Sequence, residues 1–490
     1  MSAADPLAAG ADAYRRGDVT TALQIFDEIA RTDAGGLRAR ALVDKATMMD
    51  HLGDHHGAIA VYRDALGALA DDTDDVKASV LVNLSQSLTD VGDLDGAFEA
   101  ATRARGLLVG DGVVGDVLVA CYASLTAISI HRQHWATALE LATEALDVTM
   151  VHAPDRLGNA LQNIAVANSG IGRWELAEDF WRQAIDAFDE SGDAIGAAET
   201  QYNLAALYVR AGRTEDAEPL LNACLTTFDR TGKHDRSAAA TKTLGVLADA
   251  RGDAPRAKEL YQRSLESFLA SGAILDAASV QTLLATHAFA EGNLNEGEAI
   301  LAEAFSAAAS RGIGLLSAQI DFWHATLLEA VVVDSAARDP EHPDTATLAR
   351  ALDLAVTAAV AIDAERHSLA DGQQRDQWNR QVAAPSMQLA FRLAYLAQDA
   401  HVIAELIETQ CAGATLDRST LAAEPTAPTS LAEPALHSAI VGALGSGLRV
   451  SPPPRLSMAW DGRIALARQT EAAQNRYGTT LRDDRVLPVW

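Results

Sequence analysis

A glycine-led turn recurs along most of this 490-residue chain and constrains its fold more than any other feature. It stands at Gly17-Asp18, Gly53-Asp54, Gly92-Asp93, Gly172-Arg173, Gly212-Arg213, Gly252-Asp253 and Gly292-Asn293, with Gln133-His134 in the one slot lacking glycine. Successive turns lie 36, 39, 41, 39, 40, 40 and 40 residues apart. A second series, Gly192, Gly232, Gly272 and Gly312, falls 20 residues after the first. Glycine closes helices because it enters left-handed backbone angles without a Cβ clash. Helix ends alternating every 20 residues describe antiparallel helix pairs at a fixed period.

The register inside each repeat agrees. Five residues after each turn stand Ala22, Ala58, Ala97, Ala138, Ala177, Ala217, Ala257 and Gly297, small enough for neighbouring helix backbones to approach. Four further on are Phe26, Tyr62, Ala101, Ala142, Trp181, Leu221, Tyr261 and Leu301, mostly bulky. Another four bring Ala30, Leu66, Arg105, Leu146, Ile185, Leu225, Leu265 and Phe305, so the expected core face runs i, i+4, i+8. Cys224 shares a slot with Ala65, Ala104, Ala145 and Ala184, and Cys121 one with Ala41, Ala160 and Ala240. Both read as small core residues rather than nucleophiles. With Cys411 they are the only cysteines and form no CxxC pair, which argues against a disulfide framework or structural zinc.

Eight units in this register resemble the tetratricopeptide repeat (TPR) family in a 40-residue form, over about residues 14–417. The expected fold is all-α: a TPR-like α-solenoid of about ten antiparallel helix pairs, each burying its apolar face against the next. Beyond Gly312 the period stretches. Residues 315–334 read as one long helix, 338–344 as a loop held open by Pro340 and Pro343, and 345–366 as the returning helix. Residues 377–397 and 401–411 form a tenth pair around Gln398-Asp399. Six prolines then mark 418–459 as a linker, with one short helix at 436–444. The tail, 460–490, holds a helix over 463–477 closed by Gly478.

Composition separates tail from body. Net charge is −28, with 49% hydrophobic and 22% charged residues, which fits a folded chain and disfavours nucleic acid or an anionic membrane as partner. From Ile440 onward seven arginines face four acidic residues, so the tail is basic on an acidic body. Arg463, Arg468, Arg476, Tyr477 and Trp490 are its candidate docking residues, onto the solenoid or onto a partner. No basic n-region or apolar h-region opens the chain, and no uninterrupted apolar run of about eighteen residues occurs, so a cytoplasmic protein is expected.

The run 362–369 (IDAERHSL), with Arg375, Trp378, Val382, Ala384-Pro385 and 406–409 (LIET), resembles the end of the repeat region in actinobacterial CHAT-domain proteins. The ending Pro452-Pro453-Pro454-Arg455-Leu456, Gly462-Arg463, Arg476-Tyr477-Gly478 and Pro488-Val489-Trp490 is similar to C-termini in that group. Those proteins couple TPR repeats to a caspase-like peptidase domain. No such domain fits in the 80 or so residues after the repeats, and its His-Gly and Cys pair is absent. The resemblance implies an accessory chain of a peptidase system in a bacterium.

Catalytic and cofactor signatures are missing: there is no GxxxxGK[ST], no GxGxxG after a strand, no HExxH and no GxSxG. No enzyme activity, cofactor or metal is expected. His51 and His55 have metal-ligand spacing, but Gly53-Asp54 between them is a helix-helix turn and places them on different elements. What remains is a binding surface. Nine residues before each turn stand Asp44, Asn83, Ser124, Asn163, Asn203, Thr243 and Leu283, a slot that faces the groove in the family. An Asn amide donates and accepts at once, so it reads peptide backbone without demanding a sequence. Asn83, Asn159, Asn163 and Asn203, with Arg156 and Tyr202, are the candidate partner-binding residues. The family's carboxylate clamp needs Lys one turn before the Asn, where this chain has Ser79, Asn159 and Glu199. Protein or extended peptide is the expected partner; a sensor whose own tail occludes the groove is the alternative.

Overall fold

The computed structural model describes residues 6–69, 74–110, 115–369, 372–411, 415–416 and 450–489. The chain forms two compact units, Met1–Gly232 and Lys233–Trp490, so a boundary falls inside the run expected at 1–417. The linker interior, its helix at 436–444 and Trp490 lie outside the described residues.

The first unit is a stack of six helix pairs among the described residues: α1 (Ala8–Arg15), α2 (Val19–Thr32), α3 (Gly35–His51), α4 (His55–Ala68), α5 (Asp74–Asp90), α6 (Leu94–Gly110), α7 (Asp116–His131), α8 (Trp135–His152), α9 (Leu157–Ile171), α10 (Trp174–Ser191), α11 (Ala194–Arg210) and α12 (Thr214–Thr231). Each Gly-Asp turn performs two jobs in two residues. Its glycine takes a left-handed φ, +81° at Gly53 for example, and the following Asp accepts an N–H from the new helix's first turn. Asp18, Asp54, Asp93, Asp193 and Asp253 all cap in this way. At Asp18 the bond from Thr21 holds the carboxyl below its usual range. Gln133 fills the glycine slot at φ +59°.

The small positions are fully enclosed from Ala22 to Ala257, and a Cβ on Gly297 would meet the Phe289 ring at 2.3 Å. The third position of the expected face is corrected. Leu66, Leu146 and Ile185 are half-buried, whereas Ala65, Ala104, Ala184 and Cys224, one residue earlier, have no exposure. A helix turns 100° per residue, so i+8 has swung about 80° off the stripe while i+7 lies within about 20° of it. The core face runs i, i+4, i+7, i+11, ending at Leu69, Leu108, Phe188, Phe228 and Phe268.

The second unit continues with α13 (His234–Ala250), α14 (Ala254–Ser271), α15 (Ile274–Ala290), α16 (Leu294–Ala309), α17 (Gly314–Arg338), α18 (Thr345–Ala364), α19 (Gly372–Trp378), α20 (Ala384–Leu396) and α21 (Ala400–Cys411). Helix α18 and the turn after it are long and apolar enough to cross a bilayer by composition, at mean hydropathy 1.5, but 56% of that window is buried. It packs between α17 and α20 and forms the centre of this unit's core. The helix expected from 377 begins at Gly372 and passes through a π turn, Asn379–Ala383. Pro385 has no N–H for the α-helical ladder, and the wider turn accommodates the loss.

Residues 450–459, expected in the linker, carry strand. Strand β1 (Thr415–Leu416) pairs antiparallel with β2 (Val450–Ser451), and β3 (Pro454–Ser457) pairs parallel with β4 (Asp483–Pro488) around α22 (Ala467–Tyr477). The tail helix starts at Ala467 rather than 463 because Gly462 and Leu466 both take left-handed φ, +74° and +50°, folding 458–465 back onto β3.

Candidate functional site

In the first unit α5, α7, α9 and α11 touch in succession, so the first helices of neighbouring pairs make one continuous surface. A cavity of about 770 Å³ opens on it, lined from Val82 to Glu199 by these helices, α8, the end of α10 and the 3-10 turn Pro154–Arg156. The local chain explains the space. Ala120, Ala123 and Ala127 present only methyl groups along α7, and Ala153 with Pro154 breaks the path between α8 and α9.

Asn83, Ser124 and Asn163, from the slot nine residues before the turn, all line this cavity, as do Arg156 and Asn159. Tyr202 and Asn203 do not; they stand half-buried on α11, beyond its lining. Glu199, Gln162 and Asp193 are lining residues that the candidate set omitted. Asp193 is occupied in capping α11, and Gln162 accepts a hydrogen bond from Thr200 at 3.2 Å. Among the described residues the amides of Asn159 and Asn163 and the guanidinium of Arg156 have no hydrogen-bond or ion-pair partner. The cavity also holds Asp90, placed 3.7 Å from the His55 ring, and an exposed His131. Its polar groups therefore comprise side-chain amides, one cation and several carboxylates.

The groups that would carry other chemistry are placed elsewhere. Burial pushes the Cys121 thiol up to about 11 and Cys224 up to about 12, the reverse of what a nucleophile needs. His51 ends α3 and bonds Tyr14 Oη at 3.0 Å, while His55 opens α4 and meets Asp50 at 3.1 Å. Among the described residues no group of three or more His, Cys, Asp or Glu side chains is placed to hold a metal ion.

The tail residues meet acids of their own unit. Arg476 donates to Asp321 through Nε and Nη2, at 2.5 and 2.8 Å, and Tyr477 Oη donates to the same carboxylate at 2.7 Å. Arg476 also lies over the Phe305 ring at 4.2 Å. Arg463 reaches Glu405 at 3.0 Å, Glu405 accepts the Leu466 N–H at 2.9 Å, and Arg468 pairs with Asp353.

Residues 196–270 match the tetratricopeptide repeat family. Similar solved structures include BtubC (BKLC) from P. vanneervenii, at 24% identity and TM-score 0.39 over 44% of this chain and 92% of that one. Aspartyl phosphate phosphatase F from Bacillus subtilis gives 15% and 0.45 over 58% and 74%, and a tetratricopeptide repeat protein from Parabacteroides merdae 16% and 0.40 over 53% and 90%. No curated protein matches the chain. The fold is a TPR-like helical solenoid.

Proposed function

We propose that the protein is a non-catalytic cytoplasmic scaffold that holds an extended segment of a partner protein in the first unit's groove. One observation carries the reading: Arg156, Asn159 and Asn163 converge on a 770 Å³ cavity with their polar groups unanswered. Asn amides there can take a peptide N–H and a neighbouring C=O together, and the alanine floor lets the backbone come close. The resemblance of 362–409 and of the C-terminal residues to CHAT-domain proteins makes a caspase-like peptidase the proposed partner, with this chain as its accessory subunit.

Affinity purification from the native cell, read by mass spectrometry, tests this. A peptidase should co-purify, Asn159→Ala with Asn163→Ala should remove it, and Asn203→Ala should leave it bound. Recovery of the chain alone, or retention by the double variant, defeats the reading. The alternative is a sensor whose own tail occludes the groove; deleting 460–490 should then raise partner affinity, and unchanged binding removes that reading.

A further inference from the structure

A second cavity, of about 410 Å³, lies within the second unit, bounded by α15, α17, the end of α18, the π turn and the start of α20. In the 40-residue register Trp323 holds the slot of Asn163 and Asn203, and Gln319 that of Asn159 and Glu199. Where the first unit has an amide, this one has an indole. Phe322 and Trp323 on α17, Leu275 on α15 and Val382 on the π turn supply apolar walls, and none of the lining residues is charged. In a chain with 22% charged residues and a net charge of −28, such a lining selects against ions. A charge entering it would lose water and meet no counter-charge.

The walls are held in place by the fold itself. Trp323 Nε1 donates to Thr286 Oγ1 at 3.1 Å, which fixes the indole. Trp378 Nε1 donates to the Ile362 carbonyl at 2.9 Å and ties the entry of the π turn to the end of α18. Fully buried Ile362 is itself a lining residue. The polar side chains of the lining are not all spent in this way. Among the described residues, the side chains of Ser279, Gln319 and Gln381 have no hydrogen-bond or ion-pair partner. Gln319 is half-buried, and Ser279 and Gln381 are exposed, so their polar groups are accessible. The two glutamines come from different elements, α17 and the π turn, and each amide donates and accepts at once.

We propose that this cavity binds a neutral bicyclic aromatic molecule with a lactam-type edge. Its rings lie against Trp323 and Phe322, and its adjacent N–H and C=O meet the amides of Gln319 and Gln381. A neutral ligand answers the uncharged lining, and a flat one presents a single hydrogen-bonding edge to both glutamines. The volume is at the lower end of the roughly 300–1,000 Å³ of small-molecule pockets, which suits two fused rings. The site is separate from the groove of the first unit, and each stands or falls alone.

Ligand-observed NMR titration of the full chain with 2-quinolone tests it. The lactam should bind saturably and raise the unfolding temperature. N-methyl-2-quinolone lacks the N–H, δ-valerolactam lacks the aromatic rings, and quinoline-2-carboxylate brings a charge. Each should bind about tenfold more weakly or worse. Gln319→Leu with Gln381→Leu should weaken 2-quinolone about tenfold while the circular dichroism spectrum stays the same, and should narrow its advantage over the N-methyl analogue. Trp323→Ala should abolish binding. Absence of saturable binding by 2-quinolone, equal binding of quinoline-2-carboxylate, or unaltered affinity in the folded glutamine variant overturns the proposal. Tighter binding of N-acetyltryptophanamide than of 2-quinolone also overturns it, because the cavity would then be an anchor pocket for a partner's side chain.

Discussion

The helix pairs and the terminal lobe are held together by contacts of opposite kinds. In the first unit's pairs, polar contacts are local: Tyr208 reaches Glu178 over 30 residues and Arg213 the same acid over 35. In the lobe they are long-range: Arg476 reaches Asp321 over 155 residues, Arg468 Asp353 over 115, and the Leu466 N–H Glu405 over 61. The acids differ too. Asp321 and Glu405 are 3% and 8% exposed and already neutralised by the chain's own tail, whereas the amides of the first unit's groove face open space. A repeated array distributes stability over equivalent neighbours, so no single contact decides it. A lobe docked through a few buried polar pairs has no such redundancy.

The largest expected effect is on pH stability, through His367 at the seam of α18 and the lobe. Burial, reinforced by Arg366 and Arg482, drives its pKa from 6.5 to about 4, and both ring nitrogens lack partners. The imidazole is neutral in the fold and becomes protonated first in the unfolded chain. Its contribution is therefore present above pH 6.5 and is lost as pH falls from 6.5 to about 4, on the order of 2–3 kcal/mol in all. Urea unfolding of the second unit followed across that window should fall with pH in the native chain and flatten in His367→Gln. Equal slopes would show that the seam is no more sensitive than the array.

Next is Asp321→Asn, which strips the charge from the Arg476 and Tyr477 contacts. A fully enclosed pair would lose about 3–5 kcal/mol; with Arg476 42% exposed, about 2–3 kcal/mol is expected. Hydrogen exchange should speed in α22 and β4 while α9 to α12 keep their protection. A uniform loss across the chain would erase the contrast.

How far each region is legible in the sequence follows from the same difference. The pairs repeat every 40 residues, so a small residue at Ala177 or Ala217 is read against seven copies of itself. Asn83 and Asn163 came from that register, and both line the groove. Asn203 occupies the same slot and does not, because the cavity ends before it, and cavity extent is a property of packing rather than of register. In the lobe nothing repeats. Strand β3 begins inside a proline run and pairs with β4 some 30 residues later, a non-local pairing that leaves no periodic trace. Arg482 and Thr470 likewise carry no spacing signal; only folding encloses them.

Gly314 gives a sharper and smaller test. A Cβ there would come within 2.2 Å of the Tyr477 carbonyl oxygen, a backbone atom with little freedom to move, whereas Gly36 at the start of α3 has nothing within 4 Å. Gly314→Ala should cost about 1–3 kcal/mol and loosen the lobe, with faster proteolysis after 450 as the readout. Gly36→Ala should be neutral or slightly stabilising, because alanine is the better helix former.

The smallest effect belongs to a single turn of the array. Asp253 accepts the Arg256 N–H at 3.2 Å and caps α14, whose first turn would otherwise leave that donor to water. Asp253→Ala should lower stability by about 1 kcal/mol, as for other caps, and Asp253→Asn by less, since an amide oxygen still accepts the bond. The loss should not spread: Tyr261 and Phe268 on α14 remain enclosed by α13 and α15. Exchange measured along the chain should therefore rise only in the first turn of α14. Unfolding of the whole second unit from this one change would mean that the pairs act as one cooperative block, and that the contrast with the lobe is one of degree.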